Sequence, residues 1–297
     1  MNGILPLWKP KGMTSHDCVI AIRKKFGLKK VGHTGTLDPE VEGVLPICIG
    51  QATKIVPYLT DTKKTYIAQV KLGVATETED SHGATIEKSR VVNFPSKQSI
   101  ENVLQLFRGE ITQVPPMYSA VKVNGKKLYE YARANEQVER PQRKVVIYQL
   151  THIDNTDHKD SFKIKAICSK GTYIRTLCVD IGKKLGYPAH MSHLVRTETG
   201  IIKQEETVTF EAIDESVELA NQEKLLLPIS KGLSHLEHIN VDENTKKRVL
   251  YGQKLSKPDN VTKSNPFVIM FDNQVLAIYQ IHPENPYLIK PIRVFKE

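Results

Sequence analysis

The chain of 297 residues carries 42 Lys and Arg against 33 Asp and Glu, a formal net charge of +9, with 40% hydrophobic and 25% charged residues. This is ordinary globular composition; it excludes a largely disordered or fibrous chain and suggests two domains, or one large domain with an appendage. No stretch approaches the ~20 apolar residues of a membrane span, and the run Ile4-Leu5-Pro6-Leu7-Trp8 is too short for a signal peptide.

An opening helix is signalled by Ser15 as a cap, by Val19, Ile22 and Phe26 at helical spacing, by Arg23, Lys24 and Lys25 in the last turn, and by Gly27 as a stop. Residues 31–50 (VGHTGTLDPEVEGVLPICIG) follow, a long Gly/Pro-punctuated connection of the kind that carries function. In residues 65–74, Tyr66, Ala68, Val70, Leu72 and Val74 alternate onto one face of a strand. A second helix is expected over 99–108, closed by Gly109, and Asn124-Gly125 marks a hairpin turn. Phe162, Ile164, Ala166 and Cys168 alternate as a strand, a turn follows at 169–171, and Ile174, Leu177, Ile181 and Leu185 recur as a helix with Thr172 as cap.

From about residue 236 the character changes to a short helix and three strands, a small and mostly β segment. Strands and helices mix without a β-α-β rhythm, so the expected class is α+β with a mixed, mainly antiparallel sheet. Cys18, Cys48, Cys168 and Cys178 form no C-x-x-C and sit among apolar neighbours. They read as small core residues in a reducing, cytoplasmic setting.

The charge is unevenly spread. Residues 9–30 hold seven basic side chains and one acid, and residues 108–144 hold eight basic and four acidic ones interleaved with Tyr118, Tyr129 and Tyr131. Residues 205–223 hold seven acids and no Lys or Arg. Any one such run is most simply a solvated face. Together they favour a one-sided basic surface, and a basic hairpin with tyrosines suits phosphates and unstacked bases of RNA.

Few residues stand out for chemistry. Asp38 precedes Pro39, an arrangement that by itself is commonest in turns. Arg175 falls in the first turn of a helix, where the macrodipole disfavours a cation unless a carboxylate or phosphate meets it. Tyr66 opens a strand on its apolar face and, taken alone, reads as a core aromatic. The pairs His190/His193 and His235/His238 lack partners at metal-ligand spacing. Glu77, Glu79 and Asp80 read as a solvated turn. No Walker loop or G-x-G-x-x-G is present.

At these residues the chain resembles the bacterial tRNA pseudouridine-55 synthases. Residues 32–54 (GHTGTLDPEVEGVLPICIGQATK) look like their signature loop. Four further blocks agree in order: 8–15 (WKPKGMTS), 64–80 (KTYIAQVKLGVATETED), 115–133 (PPMYSAVKVNGKKLYEYAR) and 168–182 (CSKGTYIRTLCVDIG). Glu77 departs from the pattern, standing where an Asp is expected.

The resemblance implies a catalytic domain over 1–236, with a thumb-like insertion about 112–143, and a PUA-like RNA-binding domain over 237–297. It implies Asp38 as the catalytic aspartate, Tyr66 as the active-site tyrosine and Arg175 as the arginine that pairs with Asp38. His33 resembles the residue that fills the vacated base stack, and Leu194 an apolar residue at the base pocket. Lys9, with Pro10, resembles a first motif supporting the catalytic loop, and Lys9, Lys122, Lys126 and Lys127 are grouped as RNA contacts. The implied activity is isomerisation of the T-loop uridine of tRNA by base flipping, glycosidic cleavage and C5–C1′ rejoining. It needs no cofactor, metal, membrane or obligate protein partner, and the expected form is a monomer. The alternatives are a non-catalytic tRNA-binding or tRNA-folding protein, or the same chemistry on another RNA.

Overall fold

The computed structural model describes residues 1–153, 160–258, 261 and 265–296. In chain order its elements are β1 (Gly3–Lys9), α1 (Ser15–Phe26), β2 (Val31–His33), β3 (Glu42–Ile49), α2 (Val56–Thr60), β4 (Lys64–Leu72), β5 (Val74–Thr76) and β6 (Thr85–Lys88). There follow α3 (Lys97–Gln105), β7 (Gly109–Gln113), β8 (Lys122–Val123), β9 (Lys126–Lys127), α4 (Leu128–Arg133), β10 (Arg143–Ile153), β11 (Ser161–Cys168), α5 (Ile174–Lys184) and β12 (Ala189–Thr199). The remainder is β13 (Ile202–Lys203), α6 (Phe210–Glu218), α7 (Ile229–Gly232), β14 (His238–Asn240), α8 (Glu243–Leu250), β15 (Leu255–Ser256), β16 (Phe267–Phe271), β17 (Gln274–His282) and β18 (Asn285–Val294). The class is α+β, as the irregular mixture of helical and alternating patterns implied.

Two compact units result. The first comprises Met1–Pro39, Val44–Thr60 and Ile201–Glu297. Here β1 and β2 both pair with β3, and backbone bridges tie Ile4 to Leu227 and Leu7 to Val208. Helix α1 lays Cys18, Val19 and Ile22 onto Leu5, Leu7, Leu45 and Ile47. Its cap is Thr14, whose side chain accepts from Asp17 N–H while Asp17 returns a bond to Thr14 N–H. Ser15, expected in that role, is buried and bonded elsewhere. Gly27 closes the helix at φ 65, a left-handed turn that glycine adopts without a Cβ clash.

The acidic segment lies within the same unit. Asp214 of α6 pairs with Lys25 of α1, and Glu206 pairs with Lys231. The acids therefore offset basic residues next to them instead of leaving all the basic charge unopposed. The C-terminal strands form a sheet in the order β14-β16-β17-β18-β15. One side of it encloses Phe267, Ile269, Leu276, Tyr279 and Ile289. The other side contributes Val268, Met270 and Ile278 to a core with Ile4, Val44, Cys48, Ile55 and Leu59.

The second unit comprises Glu40–Gly43 and Asp61–Gly200. Its sheet runs β12-β4-β11-β10-β7, every pair antiparallel, and the first two residues of β3 join β12 in parallel. Helix α5 packs on β4 and β12, burying Ile174, Leu177, Cys178 and Ile181. The four cysteines are free and buried; burial pushes the Cys48 thiol up to about 12 and the Cys168 thiol up to about 11, as inert core thiols require.

Candidate active site

Asp38 lies half-buried in the connection between β2 and β3, and the backbone on both sides of it is pinned. Leu37 is buried. Its N–H donates to Ser15 Oγ at 2.9 Å, and the same hydroxyl donates to Leu37 C=O at 3.3 Å. On the other side, the Pro39 carbonyl accepts from Gly12 N–H and from Lys9 Nζ, both at 3.0 Å. Lys9 also donates to Pro10 C=O at 2.7 Å and is wholly enclosed. A buried ammonium must be answered by oxygens, so Lys9 braces the loop; its burial removes it from the group of exposed RNA contacts. Upstream, Thr34 N–H bonds Pro46 C=O at 3.2 Å and Gly35 N–H bonds His33 Nδ1 at 3.3 Å, which orients the imidazole within the same loop. Fixing a residue's backbone costs about 1–2 kcal/mol of entropy, and here folding has already met that cost before any ligand arrives.

The second unit holds the other candidates. On β4 the cross-strand rows are Tyr66 with Ala166 and Arg196, then Ala68 with Ile164 and Leu194. Ala68, Val70 and Leu72 are buried, whereas Tyr66 is the partly open end of its row. Tyr66 and Leu194 therefore share a face on neighbouring strands. Arg196, beside Tyr66 and 1% exposed, is a buried cation that hydrophobic alternation had not singled out.

Arg175 is the second residue of α5 and 5% exposed. Its Nη1 donates to Thr78 C=O at 3.0 Å and its Nη2 to Tyr118 C=O at 2.9 Å. These two acceptors are neutral backbone carbonyls, not the carboxylate or phosphate that a cation in a helix's first turn is expected to meet. Thr172 does not cap the helix; its hydroxyl donates to Ser169 C=O at 2.9 Å. Tyr173 is the N-cap, and both its backbone groups are met by Gln113, a buried residue whose role local pattern did not reveal.

The turn at 77–80 is not simply solvated. Glu79 takes a left-handed φ of 64, its carboxylate accepts from Thr176 Oγ1 at 2.6 Å, and burial raises its pKa against the lowering effect of that bond and of Arg175. Asp80 accepts from the Thr78 hydroxyl and from His82 N–H, closing the turn on itself.

The basic hairpin has a definite surface chemistry. Asn124 and Gly125, at φ 52 and 82, make the tight turn between β8 and β9. Lys126 lies over the Tyr131 ring at 4.6 Å and bonds Glu136, while Lys127 and Arg133 lie over Tyr129 at 5.3 and 5.2 Å. Lys122 is exposed. Each pair sets a cation beside an aromatic ring, the two kinds of group that single-stranded nucleic acid engages.

No cluster of three or more His, Cys, Asp or Glu suited to a metal occurs among the described residues. His190 Nδ1 lies 2.7 Å from Val74 C=O and His238 Nε2 3.0 Å from Leu233 C=O, each occupied with backbone. No helix among the described residues is long and apolar enough to cross a membrane. A cavity of about 640 Å³, lined by residues such as Tyr251, Val275 and Phe295, contains none of the candidate residues.

Comparison with known proteins places these features in a family. Residues 23–174 match the model of the TruB family pseudouridylate synthase N-terminal domain, and residues 175–234 match the tRNA pseudouridylate synthase B C-terminal domain. The chain is 63% identical to a tRNA pseudouridine synthase B of Oceanobacillus iheyensis over 99% of its own length and 98% of the relative's. It is 50% identical to a Listeria innocua protein of the same name, over 100% and 99% of the two chains. Among solved structures it is similar to a chain of a Cbf5-Nop10-Gar1 complex, with a TM-score of 0.76 and 28% identity, over 99% of this chain and 84% of that one.

Proposed function

The chain belongs to the TruB family of pseudouridylate synthases, and we propose that it isomerises the T-loop uridine at position 55 of tRNA with Asp38 as the reacting carboxylate. The observation that carries this reading is the bracing of Asp38. A half-open carboxylate sits in a loop held on one side by Ser15 and on the other by Lys9 and Gly12.

The reaction breaks the N1–C1′ bond, turns the uracil and joins C5 to C1′, with the C5 proton leaving as N1 gains one. Nothing is oxidised and no group is imported, so side chains alone suffice. The essential demand is an ionised carboxylate that acts at C1′ or C6 or stabilises a cationic sugar, as in glycoside cleavage. A guanidinium beside a carboxylate favours its charged form, which is the role given to Arg175. Tyr66, open at one end of its strand row, stacks on the extruded uracil or accepts the C5 proton, and Leu194 lines the apolar side. Extruding the base costs a few kcal/mol; His33 takes its place in the stack. The hairpin with Lys122, Lys126 and Lys127 clamps the T-arm. The protein acts as a monomer in the cytoplasm, without guide RNA or partner.

Replacing Asp38 with Asn tests the centre of this reading. Tritium release from C5-labelled uridine in tRNA is expected to vanish while tRNA affinity stays near wild type; turnover within about tenfold of wild type would overturn the assignment. Arg175→Met should lower turnover more than binding, and equal losses would reduce it to a phosphate contact. An isolated T-arm stem-loop, offered without any other macromolecule, should be converted.

A further inference from the structure

Helix α5 begins without a cap of its own. Tyr173 is extended at φ −93 and ψ 107, and no side chain of the N-cap position bonds the first turn. The N–H groups at a helix start have no partner within the helix, whereas Tyr173 C=O already accepts from Leu177 N–H at 3.1 Å. Gln113, the last residue of β7 and 2% exposed, meets the Tyr173 N–H and adds a second donor to its carbonyl. Its Oε1 accepts from Tyr173 N–H at 3.0 Å and its Nε2 donates to Tyr173 C=O at 3.1 Å. A carboxamide carries a donor and an acceptor side by side, so it engages one residue's backbone as a paired strand would. Leucine offers neither group, and an ionised glutamate offers only the acceptor.

This contact reaches the residue proposed to act on the nucleoside's carboxylate partner. Gln113 is itself held in register, opposite Arg143 of β10. Tyr118, a little further along the same segment, accepts from Arg175 Nη2 at 2.9 Å. The segment thus grips the start of α5 twice, once on its backbone and once on its second side chain. The rest of the helix is anchored separately, through the buried Ile174, Leu177, Cys178 and Ile181 and through the bond of Thr176 to Glu79. Loss of the Gln113 bonds therefore loosens the start of the first turn, where Arg175 stands, while the helix stays packed.

We propose that Gln113 is a positioning residue for the isomerisation: its carboxamide fixes the first turn of α5 and, through it, the guanidinium of Arg175. The proposal rests on the reading that Arg175 serves the reaction. Its test is a double-mutant cycle in the full-length protein, combining Gln113→Leu with Arg175→Lys, read by single-turnover pseudouridine formation on saturating tRNA, by tRNA Kd and by Tm. Gln113→Leu is expected to slow the single turnover about tenfold, the factor that ~1.4 kcal/mol of transition-state stabilisation represents, with Kd unchanged within about twofold. The double variant should be no slower than Arg175→Lys alone, because both changes act through one group. Gln113→Glu keeps the acceptor and should fall between wild type and Gln113→Leu; it carries the same cycle if the leucine variant does not fold. Full-rate turnover in Gln113→Leu, or penalties that multiply in the double variant, would overturn the proposal. So would rate, Kd and Tm declining together with glutamate no better than leucine. A full-rate Arg175→Lys would instead count against the role of Arg175, a result distinguishable from failure at Gln113.

Discussion

Lys64 opens β4 with its ammonium 2.6 Å from Thr62 C=O, and burial, reinforced by the charge of Arg196, lowers its pKa to about 8. The unfolded chain holds this proton up to the ordinary lysine range near 10.4. Between those values the unfolded state binds more protons than the folded one, so stability rises with pH across that window. Below about 8 the folded protein carries the full cost of an enclosed charge. Lys64→Met should remove this slope, which urea titrations at pH 7.5 and 9.5 would show as a wild-type gain that the variant lacks. At the loop, Ser15→Ala deletes both bonds to Leu37. The expected outcome is turnover reduced about tenfold, with tRNA affinity nearly unchanged, measured by single-turnover kinetics and filter binding. Arg175 stood out locally as a cation against a helix dipole, whereas Asp38, which local context reads as a turn residue, was singled out only by the resemblance of residues 32–54. Ser15 looked like a helix cap, and the support that Lys9 gives the loop was implied only by the resemblance, because their partners lie 22 and 30 residues away, beyond any local spacing rule.

Strands were the most readable elements, because a period of two marks a half-buried face whatever lies across it. The alternation of Ala68, Val70 and Leu72 therefore foretold β4, and that of Phe162, Ile164 and Ala166 foretold β11. Element ends were harder. The choice between Thr14 and Ser15, or between Thr172 and Tyr173, is made by what each side chain meets in three dimensions. Gly43 is a sharper case of a long-range requirement. At φ 132 it sits where β3 begins its pairing with β12, and a Cβ there would lie 2.3 Å from Arg196 O and 2.7 Å from Arg196 N. Backbone cannot yield as a side-chain tip can. Gly43→Ala is expected to cost about 3 kcal/mol or more, lowering the urea midpoint and displacing the buried Arg196 beside Tyr66. A midpoint unchanged from wild type would mean that the pairing of β3 with β12 tolerates a methyl group at its closest approach.

At the scale of the molecule, the change in character after residue 236 showed where a second sheet begins but not what that sheet is packed on. Composition registers the switch to short strands; it carries no information on which distant side chains share a core. The outer residues of β16 and β17, namely Val268, Met270 and Ile278, are buried with Ile4 of β1 and with Val44 and Cys48 of β3, and Trp8 packs against this cluster. The C-terminal strands and the N-terminal strands of the first unit thus exclude water from each other, so they should unfold together. The single tryptophan makes this measurable. Ile278→Ala removes a fully buried branched side chain and is expected to cost about 2–4 kcal/mol. If the core is shared, the Trp8 fluorescence transition in urea moves to lower concentration by the same amount as the far-UV circular dichroism transition. A tethered, independently folding C-terminal module would instead leave the Trp8 transition at its wild-type midpoint while an earlier circular dichroism step appeared. Coincident shifts would also mean that RNA bound anywhere on the C-terminal sheet stabilises the strands leading into the Asp38 loop, since ligand binding to one part of a cooperative unit stabilises all of it.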